Sequence, residues 1–279
     1  MPSDTTSFSV ACLQVCAGSD LGQNIESAVG MIGDAINDGA DFVLMPENVT
    51  MMEWGRKAIT SKAQTESDHQ GLAAFRIAAK QHGIWLHCGS LAVSLDDGRV
   101  ANRTYVLDSD GEIAARYDKI HMFDVDLGNG ERYAESSTFA PGDKAVLIDL
   151  PWGKLGLTIC YDLRFPSLFR DLAQAGAEMI TVPSAFTQVT GEAHWHVLLR
   201  SRAIETGAFI FAPAQTGIHP GDRKTYGHAL IVDPWGTVLA DAGTEPGIIG
   251  STVDVADVGR IRQKMPSLGH DRPFARVSD

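Results

Sequence analysis

The chain runs through one plan twice, and this repetition constrains its fold more than any composition figure. Gly39-Ala40-Asp41-Phe42-Val43-Leu44-Met45-Pro46-Glu47 has a counterpart in Gly176-Ala177-Glu178-Met179-Ile180-Thr181-Val182-Pro183-Ser184. A helical stretch precedes each run (23–38 and 167–175), and an apolar strand precedes each helix (8–15 and 155–160). Strand–helix–strand order calls for parallel pairing with helices laid over a sheet. Later in each half a helix rich in Ala and Arg runs to a glycine, Gly83 or Gly207, and a strand follows (84–93; 208–214). Both halves then show a hairpin, 105–113 and 230–238, with Asp and Gly around the turn. Two copies of so long a unit do not make a solenoid. The expectation is an α/β fold in one domain over 1–279, with an N-terminal extension of about 1–7 and a tail of about 255–279. Two mixed sheets pack face to face with helices outside, related by an internal pseudo-two-fold.

Composition enters as a filter. With 279 residues, 44% of them hydrophobic, the chain can bury a large core. A formal net charge of −12 speaks against nucleic acid as a partner, since phosphate binding needs basic surface. No apolar run approaches the roughly 18 residues of a membrane span, and the start lacks the basic-then-apolar pattern of a signal peptide. Four cysteines without framework spacing fit a reducing cytoplasm. The sequons at Asn48 and Asn102 are then accidental.

The symmetry also indicates where chemistry belongs. Ligands of α/β sheets bind outside the carboxyl ends of the strands. Glu47 and Ser184 are equivalent strand ends, and Cys160 ends the first strand of the second copy. Pro166 suits the first turn of a helix, which sets Cys160 at a strand-to-helix turn. Backbone N–H groups and a helix dipole there favour thiolate. Taken by residue type alone, each of these has a blander reading. Free cysteines are mostly core residues, which is how Cys12, Cys16 and Cys88 read. Glutamates are mostly exposed, and Lys119 would ordinarily be solvated.

Three contexts together say more than any one. Pro46-Glu47-Asn48 stands at a strand end, Tyr117-Asp118-Lys119-Ile120-His121-Met122-Phe123-Asp124 follows the first hairpin, and Cys160-Tyr161-Asp162-Leu163-Arg164-Phe165-Pro166 forms the turn. In that order they resemble the nitrilase superfamily of carbon–nitrogen hydrolases, over essentially the whole chain from Phe8 to about Pro273. The resemblance implies an α-β-β-α sandwich, in agreement with the repeat. It implies Glu47 as general base, Lys119 as electrostatic partner, Cys160 as nucleophile and Glu135 as a supporting glutamate. Lys119 and the Tyr161 N–H would form the oxyanion hole. It implies no cofactor and no metal, a small-molecule amide and water as partners, and a homodimer paired through outer helices.

The stretch from Pro183 to Trp195 should border the pocket. With Arg200–Thr206 and Tyr226-Gly227-His228 it resembles the Nit subgroup of ω-amidase-type enzymes. Carried over by position, Arg164 and Thr190 would receive substrate carboxylate and oxo groups. Phe186 would stack nearby, and Ser184 and His194 would line the site. Within that subgroup the Ala203-Ile204-Glu205-Thr206 run more closely resembles the branch acting on deaminated glutathione, and the resemblance implies that substrate, with 2-oxoglutaramate or an N-carbamoyl amino acid as alternatives. Other readings stand beside this one. A Cys–His pair could use His121, His194, His196 or His228 as base. His194-Trp195-His196 could suggest a metal, yet alternate helix residues do not share a face and no third ligand is apparent. A Arg164–Asp162 ion pair is the plain structural role for that arginine. A non-catalytic binding module would need the Cys160 thiol to be dispensable.

Overall fold

A computed structural model describes residues 6–128 and 131–277. The first copy opens with β1 (Ser7–Val15) and α1 (Leu21–Asn37), and β2 (Phe42–Leu44) returns parallel to β1. Asp20 caps α1 by accepting the Gln23 N–H, a standard way to satisfy a free donor at a helix start. After the short α2 (Arg56–Lys62), α3 (Gln70–His82) leads to β3 (Trp85–His87), parallel to β2. β4 (Leu91–Ser94), β5 (Val100–Leu107) and β6 (Ile113–Asp118) complete an antiparallel margin.

Short connecting strands follow: β7 (Asp124–Asp126), β8 (Arg132–Ala134) and β9 (Phe139–Ala140). The second copy then starts a second sheet with β10 (Val146–Leu150), β11 (Gly153–Leu157), α4 (Pro166–Gln174) and β12 (Met179–Thr181). α5 (Gln188–Thr206) precedes β13 (Phe209–Ala212). β14 (Ala214–His219) and β15 (Arg223–Tyr226) cross to the first sheet, where β14 pairs parallel with β1. β16 (Leu230–Val232) and β17 (Val238–Asp241) finish the second sheet. β18 (Gly247–Asp254) returns to the first, antiparallel to β1, and α6 (Ala256–Lys264) follows it.

The repeat is thus realised in the pairing. β1-β2-β3 and β11-β12-β13 are the parallel triplets, and β5-β6 and β16-β17 are the antiparallel pairs that extend them. Strand alternation builds the layers. Phe8, Val10 and Cys12 face the second sheet, where Phe8 lies 6.4 Å from Phe211 edge-on and stacks on Trp152 at 4.4 Å. Ala11, Leu13 and Val15 face the opposite way, onto Ala28 and Ile32 of α1 and Leu72 and Phe75 of α3. Leu168 and Phe169 of α4 and Trp195 and Leu199 of α5 cover the second sheet. The architecture is the α-β-β-α sandwich expected. Gly83 and Gly207 both cap their helices in the left-handed region, at φ 66° and 58°, which explains their equivalent places in the two copies.

Several boundaries differ from the sequence reading. The strand expected over 84–93 breaks at Gly89 (φ 62°), where a Cβ would meet the Pro46 carbonyl oxygen at 2.0 Å. This loop tucks under the strand end that carries Glu47. The strand expected over 208–214 breaks at Pro213, and its second part joins the other sheet. Cys16, expected in the core, is exposed just beyond β1. The expected tail from about 255 begins as α6, with Val258 buried and Arg262 donating to the Thr206 and Ala177 carbonyls. The expected extension of about 1–7 lies largely outside the described residues, and Ser7 already belongs to β1. Among the described residues, no helix is long and apolar enough to cross a membrane.

Candidate active site

Glu47 stands three residues beyond β2, and Asn48 after it takes a left-handed conformation (φ 55°). Gln215 Nε2 holds the Glu47 carbonyl at 3.0 Å, while the Ser90 hydroxyl accepts the Asn48 N–H. Lys119 follows β6 and is pinned through its backbone, its N–H to Asn102 O at 3.0 Å and its carbonyl to the Gly142 N–H at 2.8 Å. Its ammonium is 2% exposed. It donates to Glu47 Oε1 at 2.9 Å and to both oxygens of Glu135 at 2.9 Å. Asn102 on β5 bridges the same two carboxylates, its Nδ2 at 2.9 Å from Glu47 and 3.3 Å from Glu135. The Ala185 N–H occupies Glu47 Oε2 at 2.8 Å, and the Phe123 N–H holds Glu135 Oε2 at 2.7 Å.

Cys160 begins a 3-10 turn, Cys160–Arg164, in a left-handed conformation (φ 49°). A non-glycine residue held there is strained, a condition that persists only where the surroundings enforce it. The enforcing group is Asp162, which is fully buried. It accepts from the Ile159 N–H (2.8 Å), the Tyr117 hydroxyl (2.7 Å), the His121 N–H (3.0 Å) and the His121 ring (2.7 Å). From the other side, Arg202 Nε and Nη2 donate to the Leu163 carbonyl at 2.9 and 2.7 Å. The Cys160 N–H is used by the Pro183 carbonyl at 3.0 Å, whereas the Tyr161 N–H takes no part in the turn's backbone bonds.

Burial disfavours every charge here, so the mutual arrangement decides which survive. Burial alone would raise the Glu47 carboxyl, but the Lys119 charge and hydrogen bond override it and hold the group below the usual carboxylate range. Burial pulls the Lys119 ammonium down, and the Glu135 and Glu47 charges outweigh that and raise it. Burial and then the Glu47 carboxylate push the Cys160 thiol well up, with Lys119 opposing them. Burial and the Glu47 carboxylate thus work against the thiolate that a strand-to-helix turn favours. A thiol beside a carboxylate suits nucleophilic attack with proton transfer to that carboxylate.

These groups form the floor of a cavity of about 280 Å³. Tyr161, Phe186 and Thr190 line it, together with Phe123, Tyr133, Arg132 and Arg223. The carbon-nitrogen hydrolase model matches residues 9–263. The chain belongs to the carbon-nitrogen hydrolase family. A Yersinia enterocolitica protein named deaminated glutathione amidase is 40% identical to it over 94% of this chain and 92% of that one. The crystal structure of the C. elegans NitFhit protein superposes with a TM-score of 0.90 at 35% identity. It covers 96% of this hydrolase, which in turn spans 66% of that chain. Saccharomyces cerevisiae Nit3, described as a member of branch 10 of the nitrilase superfamily, gives a TM-score of 0.86 at 28% identity, covering 96% and 97%.

Three expected site residues of this hydrolase lie elsewhere. Ser184 is buried and its hydroxyl donates to the Val182 carbonyl at 3.0 Å, a strand-end role without a face on the cavity. Arg164 does not line the cavity; its guanidinium lies 5.2 Å from the Phe186 ring and 5.8 Å from that of Tyr161, behind the wall they form. It meets His194 Nδ1 at 3.3 Å rather than Asp162. His194 is likewise outside the lining. None of His121, His194, His196 and His228 lines the cavity, so the cysteine–histidine reading has no geometric base. The missing third partner of His196 does exist in space. His196, His228 and Asp241 offer donor atoms within 4.8 Å of one another, a set a divalent cation could use, and both rings already bond the carboxylate. Sequence reasoning missed Asn102, Asp162 and Arg223. Asp162 lies inside the quoted cysteine motif, but Asn102 carried no local signal.

Proposed function

We propose that this hydrolase is an amidase that cleaves a small carboxylate-bearing amide through a thioester on Cys160, with deaminated glutathione the preferred substrate. The observation that carries the reading is the buried Glu47–Lys119–Glu135 array beside the Cys160 thiol. A carboxylate, a fixed positive charge and the thiol side by side support roles as base, electrostatic partner and nucleophile. Glu47 takes the thiol proton as sulfur attacks the amide carbon. The oxyanion develops between the Lys119 ammonium and the Tyr161 N–H, donors that are fixed before reaction. Collapse breaks the C–N bond, and Glu47 returns the proton to the departing amine. Water then loses a proton to Glu47 and attacks the thioester. The acid leaves, and the sulfur regains its proton. Asn102 and Glu135 keep Lys119 and Glu47 in place throughout.

The relative's name supports the substrate, and the arginines and aromatic rings of the cavity suit an acid with an extended apolar stem. Deaminated glutathione, 2-oxoglutaramate, an N-carbamoyl amino acid and propionamide should be compared by release of amine or ammonia. Deaminated glutathione should give the highest specificity constant, and intact mass should show an acyl adduct on Cys160. Equal rates on propionamide would defeat the substrate assignment, and a clear preference for the carbamoyl compound would move it to another branch.

The same reading includes a homodimer in the cytoplasm. Val197 and Ile204 on α5, with Trp235 close by, form an exposed apolar face, and four free thiols suit a reducing compartment. Ile204→Asp should shift the sedimentation coefficient to that of a monomer.

A further inference from the structure

The cavity holds more positive charge than the catalytic groups use. Of its three carboxylates, Glu47 and Glu135 share the single Lys119 ammonium, with the Arg223 charge also helping to hold Glu47 low, and Glu53 pairs with Lys62. Arg56, Arg132 and Arg223 also line it, and none of the three is ion-paired among the described residues. Arg223, at the start of β15, is the most constrained. Its Nη2 donates to the Ala185 carbonyl at 2.7 Å, and its guanidinium lies 5.6 Å from the Tyr133 ring. Its Nε is buried and has no hydrogen-bond partner among the described residues. Sealed from solvent, that Nε is out of a ligand's reach, so an anion in the cavity meets only the outer guanidinium nitrogens.

We infer that Arg223 is a specificity-determining residue that takes a carboxylate carried on the leaving-amine side of the substrate. The side follows from Ala185. Its N–H holds Glu47 Oε2 at 2.8 Å and its carbonyl accepts from Arg223 at 2.7 Å, so a single residue separates the guanidinium from the carboxyl that protonates the departing amine. A substituent on that nitrogen runs past Glu47 toward Arg223. Nη1 makes no hydrogen bond among the described residues, and with Nη2 it forms the outer end of the guanidinium, where a carboxylate can be met in plane. Arg132, at the start of β8 and exposed on the same cavity, adds positive potential at the outer end. The substrate class is therefore an amide whose amine part is itself an acid, such as an amino acid or short peptide with a free carboxyl end. Arg164, set behind Phe186, is not the group that reads it.

This inference rests on the amidase reading above, and the test separates the two. Deaminated glutathione is compared with its C-terminal carboxamide, which has the same acyl group and an uncharged amine part. Wild type should prefer the carboxylate in kcat/KM on the order of ten- to a hundredfold, the scale of a charge-assisted pair, and mainly through KM. In Arg223→Gln that ratio should fall to near one, and Arg223→Lys should keep part of it. A wild-type ratio near one overturns the inference without any variant being needed. A ratio that survives Arg223→Gln overturns it as well. If wild type turns over other amides but neither member of the pair, the substrate reading itself fails and the inference falls with it.

Discussion

The Asp162 carboxylate accepts the Tyr117 hydroxyl at 2.7 Å across the seam between the two sheets. Tyr117 lies on β6, two residues before Lys119, and Asp162 lies two residues after Cys160. One buried carboxylate therefore sets the spacing of nucleophile and ammonium, although it does not line the cavity. Asp162→Asn keeps the shape but cannot accept all four donors. It should lower kcat by about tenfold or more while leaving KM within a few-fold, and lower stability by about 1–3 kcal/mol. A loss confined to KM would mean that Asp162 acts on binding and not on the position of Cys160.

Cys160→Ala should remove turnover by on the order of 10⁴-fold or more, the scale seen when a nucleophile is deleted. The variant should still bind substrate, because the cavity walls are untouched. Cys12→Ala and Cys88→Ala remove buried groups and should reduce stability with the chemistry retained. Cys16→Ser, at an exposed position, should change neither. Hydrolysis by Cys160→Ala above a few per cent of wild type would remove the thioester route.

Lys119→Gln should cost on the order of 10²- to 10³-fold in kcat, the loss of one oxyanion donor. His121→Ala should cost far less, since its ring bonds Asp162 and stacks on Phe165 at 3.5 Å away from the cavity. The pH profile gives a second readout. The Lys119 charge holds the Glu47 carboxyl low, so the base stays ionised well into the acid range in wild type. Without that charge, burial raises the carboxyl, and the acid limb of kcat/KM should move to higher pH. An unmoved limb would separate Lys119 from Glu47.

His87 supplies a prediction about stability. It is fully buried between the sheets, accepting the Gly89 N–H at 3.1 Å and facing the Thr104 and Thr181 hydroxyls at 3.1 and 3.2 Å. Burial lowers its pKa from 6.5 to about 3. The unfolded chain therefore takes up a proton below pH 6.5 that the folded protein refuses until about pH 3. Stability from this group is complete above 6.5 and declines as pH falls through that window. His87→Gln should flatten the decline measured by denaturant unfolding between pH 6.5 and 4, at some cost in stability at neutral pH. An unchanged slope would place the acid sensitivity elsewhere, for instance at His69, lowered to about 4.

Chelators should leave hydrolysis unaffected, because every proposed step uses Glu47, Lys119, Cys160 or a backbone N–H. Inactivation by a chelator, reversed by a divalent cation, would turn attention to His196, His228 and Asp241.

The sequence by itself determined the layers and the order of the chemistry. Alternation along residues 8–15, the glycine stops at 83 and 207, and Pro166 at a helix start are signals read within a few residues of themselves. Glu47, Lys119 and Cys160 sit in contexts distinct enough to be picked out without coordinates. Only the tertiary structure decided what these groups meet. Asn102 reaches Glu47 across 55 positions, Lys119 reaches it across 72, and Arg223 reaches Ala185 across 38. No periodicity encodes such pairs. The same holds for charge: a turn before a helix favours thiolate, but burial and a neighbouring carboxylate push the Cys160 thiol up. Arg164 against Arg223 is the same lesson in space. Both are arginines near strand ends, and a phenyl ring's width of packing puts one behind the wall and the other in the cavity. Local propensity is short-ranged, whereas desolvation and hydrogen-bond completion depend on everything the fold brings near.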